Sequence, residues 1–130
     1  MNEANIYIFL EKLQGITIPK LKGFGYTAGG LFAIATEIVG SPVKVDNLSD
    51  EERNEAVKAL SSLHDHGVLH SDIRPDNVLV QYENDKANVK LIDLAFPRRI
   101  SDKNEAKKEM KTLQKMLGFE KRKKERQKEK

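Results

Sequence analysis

His70-Ser71-Asp72-Ile73-Arg74-Pro75-Asp76-Asn77-Val78-Leu79-Val80 is the stretch on which the fold of this chain turns. It joins a carboxylate (Asp72), a guanidinium (Arg74) and an amide (Asn77) to an apolar strand that starts at Val78. Pro75 fixes its own φ and stiffens the loop between Asp72 and Asn77. A second segment, Val89-Lys90-Leu91-Ile92-Asp93-Leu94-Ala95, reads as its partner. Val78–Tyr82 and Val89–Ile92 are short strand patterns, and the polar run Glu83–Asn88 between them predicts a hairpin loop. Asn77 precedes the first strand and Asp93 follows the second. Antiparallel pairing therefore brings both to one end of the hairpin.

Working back towards the N-terminus, Ser49-Asp50-Glu51-Glu52 is a capping box, in which Ser49 caps a free amide and Glu52 reaches back. The helix it opens carries Ala56, Val57, Leu60, Leu63 and His64 on one side, and Gly67 stops it. Val68-Leu69-His70 is then a short extended entry to the loop. Earlier still, Leu31–Val39 is an apolar run bounded by glycine, the pattern of a strand buried on both faces. Glu37 near its end reads as a strand-exit residue facing solvent, and Gly40-Ser41-Pro42 breaks the strand. Gly23–Gly30 holds four glycines in eight residues, but the spacing misses both phosphate-loop patterns and reads as a glycine-rich strand connection. Glu3–Leu13 has a helical stripe at Ile6, Phe9, Leu10 and Leu13, closed by Gln14-Gly15. After the hairpin, Pro97 ends the segment and Asp102 with Glu105 forms a second capping pair. Ala106, Met110, Leu113 and Leu117 then line a helix closed by Gly118.

The 130 residues make one domain with a modest core. No cysteine is present, which removes disulfides and thiolate metal sites and fits a reducing compartment. No basic, apolar leader opens the chain, and no apolar run is long enough to span a bilayer, so the expected location is intracellular, cytoplasmic or nuclear, with no membrane partner. The net charge of +3 hides a division: Lys121–Lys130 holds seven Lys or Arg against two Glu, leaving −2 on the remainder. The run 119–130 reads as a basic tail, frayed or disordered. It lacks interleaved aromatics, so nucleic-acid binding through Lys121–Lys130 is a weak expectation and a solvated tail the stronger one. His64, Asp65, His66 and His70 invite a metal reading. His64 and His66 straddle a helix end and point apart, so capping and surface roles are expected instead.

Phosphoryl transfer asks little covalent chemistry of a protein. It needs a carboxylate to orient the attacking hydroxyl, hard oxygen ligands for a metal, and positive charge on the phosphate. Asp72, Asn77, Asp93 and Arg74 form such a set. The resemblance is then specific: His70-Ser71-Asp72-Ile73-Arg74-Pro75-Asp76-Asn77 resembles the catalytic loop of protein kinases, H-R-D-x-x-x-x-N, with its spacing intact. Ile92-Asp93-Leu94-Ala95 resembles the D-F-G segment, and with the preceding helix the likeness covers Leu48 to Ala95. Leu31–Val39 is similar to the strand and hinge beneath adenine. Glu3–Leu13 resembles the control helix, with Glu3 near the usual ion-pairing glutamate.

The resemblance implies an α+β, protein-kinase-like core over 1–118 that lacks the first N-lobe strands and the later C-lobe helices. It implies ATP and Mg²⁺ as cofactors and a protein hydroxyl, Ser or Thr, as acceptor. Asp72 would be the catalytic base, with Arg74 beside it, and Asn77 and Asp93 would hold metal. The backbone of Glu37 and Val39, after a gatekeeper Thr36, would meet the adenine edge, with Leu79 under the ring. His70 and Leu94 would be packing residues. Several departures qualify this. Ser71 replaces the arginine that reads a phosphorylated activation loop, Ala95 replaces glycine, and the glycine-rich lid, strand lysine and A-P-E segment are not found. The alternative is a pseudokinase-like binding module or inactive fragment. The apolar strand would then need a partner chain or further sequence to cover its edge.

Overall fold

The computed structural model describes residues 3–26, 28–30, 32–37, 40–94 and 97–119. Its longest helix begins where the capping box predicts. Ser49 Oγ accepts the Glu52 amide at 3.1 Å and Glu52 Oε1 accepts the Ser49 amide at 2.9 Å. Helix α2 then runs Asp50–Asp65 and buries Ala56, Ala59, Leu60 and Leu63. Gly67, just past its end, takes φ +79°, the left-handed geometry that only glycine adopts without cost.

Strands β5 (Val78–Glu83) and β6 (Lys86–Leu91) pair antiparallel from Val78↔Leu91 to Glu83↔Lys86. The six-residue loop expected at Glu83–Asn88 is really a two-residue turn. Asn84 and Asp85 both adopt positive φ, 51° and 62°, as the tight hairpin turn matched to strand twist requires. Asn and Asp tolerate that region, so pairing continues through polar residues that composition alone assigns to a loop. Val78, Val89 and Leu91 enter the core against α2, while Leu79 alternates to the opposite side.

Ser41-Pro42, expected to break a strand, forms the short edge strand β3, with Ser41 opposite Val80 and Pro42 opposite Leu79. An edge tolerates proline because the ladder there needs no donor on its outer side. Gly40 precedes it at φ +82°, and a Cβ there would lie 2.2 Å from the Val80 carbonyl oxygen. Upstream, β1 (Leu21–Tyr26) pairs with β2 (Phe32–Thr36). Gly23 and Gly25 therefore lie inside a strand rather than in a connection. Ala35 on β2 is exposed, so burial on both faces does not hold at that position. Among the described residues β2 pairs only with β1.

Helix α1 (Glu3–Phe9) is shorter than its stripe predicts, and Glu11–Leu13 continues as a 3₁₀ turn. Its inward residues are Ile6, Tyr7, Leu10 and Leu13. Phe9, expected inside, is about half exposed, with the Arg99 guanidinium 5.0 Å above its ring. The buried face runs through Ile6, Tyr7 and Leu10, which leaves Phe9 on its flank. Strand β4 (Val68–Leu69) pairs with β7 (Arg98–Arg99). Helix α3 (Lys103–Met116) starts on Asp102, whose Oδ1 accepts the amides of Asn104 (2.7 Å) and Glu105 (3.2 Å). Glu105 does not complete the reciprocal pair; it accepts the Ser101 hydroxyl instead. Leu113 and Leu117 from this last helical segment join Ile6, Leu60, Leu91 and Leu94 in one core. Arg53 fastens it, its Nε donating to the Leu117 carbonyl at 2.8 Å. The architecture is the mixed α+β type expected, and among the described residues no helix is long and apolar enough to cross a membrane.

Candidate active site

The loop from His70 to Asn77 leaves β4 and feeds β5, so it is anchored at both ends by buried backbone. Pro75–Asn77 is a 3₁₀ turn with proline in its first position, where the missing N–H costs nothing. That turn aims Asn77 back at the loop. Its Nδ2 donates to the Asp72 carbonyl at 2.8 Å and to Asp72 Oδ2 at 3.3 Å. Arg74 reaches the same carboxylate oxygen at 3.0 Å. Arg74 and Asn77 thus hold Asp72 Oδ2 from two directions, with Asn77 buried and Asp72 half-buried.

His70 joins this loop to the second segment. It is fully buried. Its Nε2 donates to the Ile92 carbonyl at 2.6 Å, and its Nδ1 accepts the Asp72 amide at 3.2 Å. A carbonyl can only accept and an amide can only donate, so the ring is fixed as the Nε2–H tautomer. The Ile92 amide in turn donates to the Asn77 carbonyl at 3.0 Å. Asp93 follows at once, exposed and at φ +63°. Asn77 and Asp93 therefore sit at the same end of the β5–β6 hairpin, and Leu94 beyond them is fully buried.

Two further expected residues lie on other elements, Glu37 just after β2 and Leu79 on β5. Glu37 was expected to face solvent. Its carboxylate instead accepts the Lys20 amide at 2.9 Å, and its own amide donates to the Lys20 carbonyl at 3.0 Å. The two bonds staple the end of β2 to the start of β1. Leu79 is buried on β5, opposite Pro42 and Lys90 and outside the main core cluster. Val39 and Ala95 lie outside the described residues, as does the Lys121–Lys130 tail.

Sequence reasoning missed Glu109. From α3 it reaches under the loop: Oε1 accepts the His70 amide at 2.9 Å and Oε2 accepts the Ser71 amide at 2.7 Å. His64 Nε2 meets Oε1 at 2.7 Å, and both side chains are only 10% exposed. His64 is therefore a buried partner, not the capping or surface residue expected, whereas His66 does bond a helix carbonyl, that of Ser62. Burial pushes the Glu109 carboxyl up. The hydrogen bonds from His64 and from the Ser71 and His70 amides, with the attraction of His64, outweigh it and hold the group below its ordinary value near 4.5. Ser71 needs this support, because it is held at φ +77°, a conformation costing a non-glycine residue about 1–3 kcal/mol. The sequence signal was the position of Glu109, on the flank of the apolar stripe rather than among the lysines.

A carboxylate and an amide held in one loop, with a second carboxylate in the adjoining turn, is the arrangement expected of a kinase-type core. Comparison with known proteins agrees. The protein kinase domain profile matches residues 32–116, well over half of the chain, and the chain belongs to the protein kinase domain family. It is 31% identical over 95 residues to the probable serine/threonine-protein kinase fnkE of Dictyostelium discoideum, covering 62% of this chain and 7% of that one. It is 31% identical over 104 residues to the serine/threonine-protein kinase DCLK3 of Mus musculus, covering 75% and 10%. Over 50 residues it is 44% identical to the serine/threonine-protein kinase STE20 of Candida glabrata, covering 38% and 5%. The chain thus spans a tenth or less of the length of these three relatives.

Proposed function

We propose that this chain carries the catalytic and metal-binding loops of an ATP- and Mg²⁺-dependent protein kinase that transfers the γ-phosphate to a serine or threonine hydroxyl. The observation that carries the proposal is the convergence of Asp72, Asn77 and Asp93 at one end of the hairpin, locked by His70 and Asn77. The names of the relatives support the acceptor class.

Asp72 is placed to accept the proton of the attacking hydroxyl through its carboxylate. Arg74 and Asn77 orient that group in advance, so no reorientation is required when substrate arrives. Arg74 is largely exposed and can turn from Asp72 to the transferring phosphate. The donor set fits magnesium. Asn77 spends its Nδ2 on Asp72, which leaves its side-chain Oδ1 free among the described residues, and Asp93 offers an exposed carboxylate. Mg²⁺ takes one or two protein oxygens and fills its shell with water and phosphate. Bound there, the ion would neutralise phosphate charge. The Glu37 backbone and Leu79 are the described residues against which the adenine would lie, in an intracellular, cytoplasmic or nuclear setting.

The test is phosphate transfer from radiolabelled ATP to a protein acceptor by the purified chain and by Asp72→Asn. Transfer abolished by the substitution is expected, and equal transfer in both would rule the catalytic role out. The second reading, a binding module that scaffolds a partner without transfer, is favoured by β2, which pairs only with β1 among the described residues. An Mg²⁺-dependent thermal shift with ATP, accompanied by transfer, counts against it.

A further inference from the structure

Helix α3 carries its charge in an unusual arrangement. Lys103, Lys107, Lys108, Lys111 and Lys115 are all exposed, and the other exposed positions between Lys103 and Lys115 are Asn104 and Thr112. At about 100° per residue these positions fall on one half of the helix circumference. The two acids of the helix are turned away from that face. Glu105 accepts the Ser101 hydroxyl, and Glu109 accepts His64 and the loop amides. Among the described residues none of the five lysines makes an ion pair. Lys103, Lys107, Lys111 and Lys115 also follow one another at i, i+4, so each neighbouring pair repels along a ridge about 18 Å long. An exposed surface helix normally sets opposite charges at that spacing. A local rule broken without return to the fold marks a surface kept for another purpose.

We infer that this lysine ridge is a docking surface for an acidic segment of a protein, delivering its neighbouring hydroxyl to Asp72. The inference rests on the protein-hydroxyl reading for its substrate half, but the docking itself does not depend on transfer. Position argues for a protein. Through Glu109 the helix holds the amides of His70 and Ser71, directly before Asp72. Beside the ridge, Lys108 lines, with Leu69, Ser71, Arg98, Glu105 and Glu109, a cleft of about 400 Å³ that reaches the loop at Ser71. The exposed face offers no aromatic ring on which a nucleic-acid base could stack. It offers no apolar side chain to enter a membrane interface either, since Leu113 is spent on the core. What it offers is a row of flexible ammonium groups, suited to carboxylates on an extended chain and to steering them at low ionic strength.

The experiment measures fluorescence anisotropy of a short labelled peptide of alternating glutamate and serine, titrated with the full chain at low salt. Lys107→Glu and Lys111→Glu are each expected to weaken binding by about threefold or more. Each exchanges two repulsive i, i+4 contacts for attractive ones, so thermal midpoints should be unchanged or raised, and lost binding cannot be ascribed to unfolding. The control Lys123→Glu/Lys124→Glu, in the basic tail, should bind nearly as the parent does. Asp72→Asn should retain full peptide binding while losing transfer, which separates failure of docking from failure of the catalytic reading. The inference is overturned if the α3 reversals leave binding unchanged, or if only the tail variant loses it. Tighter binding of an oligonucleotide, or of vesicles rich in anionic phospholipid, than of the peptide also overturns it.

Discussion

Replacing Glu109 by glutamine tests how the catalytic loop is held. The carboxylate receives two loop amides and His64 within 2.9 Å, in a site where both side chains are 10% exposed. Glutamine is nearly isosteric but has one acceptor oxygen, and its NH₂ must face a donor. At least one buried hydrogen bond to a charged acceptor is lost and one donor is left unpaired. Each such loss is worth about 1.5–3 kcal/mol, and a buried pair broken on one side costs about 3–5 kcal/mol. We expect a loss of about 2–4 kcal/mol in urea unfolding with an unchanged m-value. The pH dependence supplies a sharper check. The folded carboxyl lies below its ordinary value near 4.5. Its contribution is therefore fully present above the unfolded value and is lost as pH falls through the folded one. The gap between parent and Glu109→Gln should shrink on acidification below about pH 4.5. A loss under about 0.5 kcal/mol at neutral pH, or a gap that does not narrow in acid, would refute the reasoning.

Two further substitutions probe the backbone. Gly40→Ala should cost about 2–4 kcal/mol, since the added Cβ meets the Val80 carbonyl oxygen at 2.2 Å on a residue at φ +82°; a thermal midpoint equal to the parent's would contradict that close approach. Asp85→Gly should stabilise by about 0.5–1 kcal/mol, because the second turn residue stands at φ +62°; a lower midpoint would mean that Asp85 makes an interaction the turn depends on.

The parts of this fold legible in the sequence are those set by local chemistry. Ser49 and Glu52 cap a helix because both groups lie within one turn, and Gly67 ends it because glycine alone enters the left-handed region freely. The juxtaposition of Asn77 and Asp93 was legible too, since a hairpin has only one way to fold back. Its turn was not, because polarity in Lys86–Asn88 looks like loop until Asn84 and Asp85 are seen to make the tight reversal themselves. Ser41-Pro42 was misread for a related reason: an edge strand of two residues has too little pattern to outweigh a proline. Phe9 and His64 depended on tertiary geometry, one on Tyr7 taking the inward place in α1, the other on a helix that begins only at Lys103, far along the chain. Glu109 was the hardest. A glutamate in a lysine-rich helix suggests solvent pairing, and only the approach of α3 to the loop gives it another use.

Among the described residues, Ser71 and Asp93 are the two left-handed non-glycine residues that do not belong to the hairpin turn. They stand beside Asp72 and at the end of the Ile92 segment, and the same few contacts restrain both. Glu109 fixes the Ser71 amide; His70 takes the Asp72 amide on one ring nitrogen and gives its proton to Ile92 on the other; Asn77 holds Asp72 with its side chain and Ile92 with its carbonyl. Strained backbone persists only where its surroundings over-determine it. The two loops are therefore one cooperative unit, and releasing either His70 or Asn77 would relax both strained residues together. Helix α3 is part of that unit through Glu109, so the surface it turns to solvent is coupled by rigid contacts to the loop that carries Asp72.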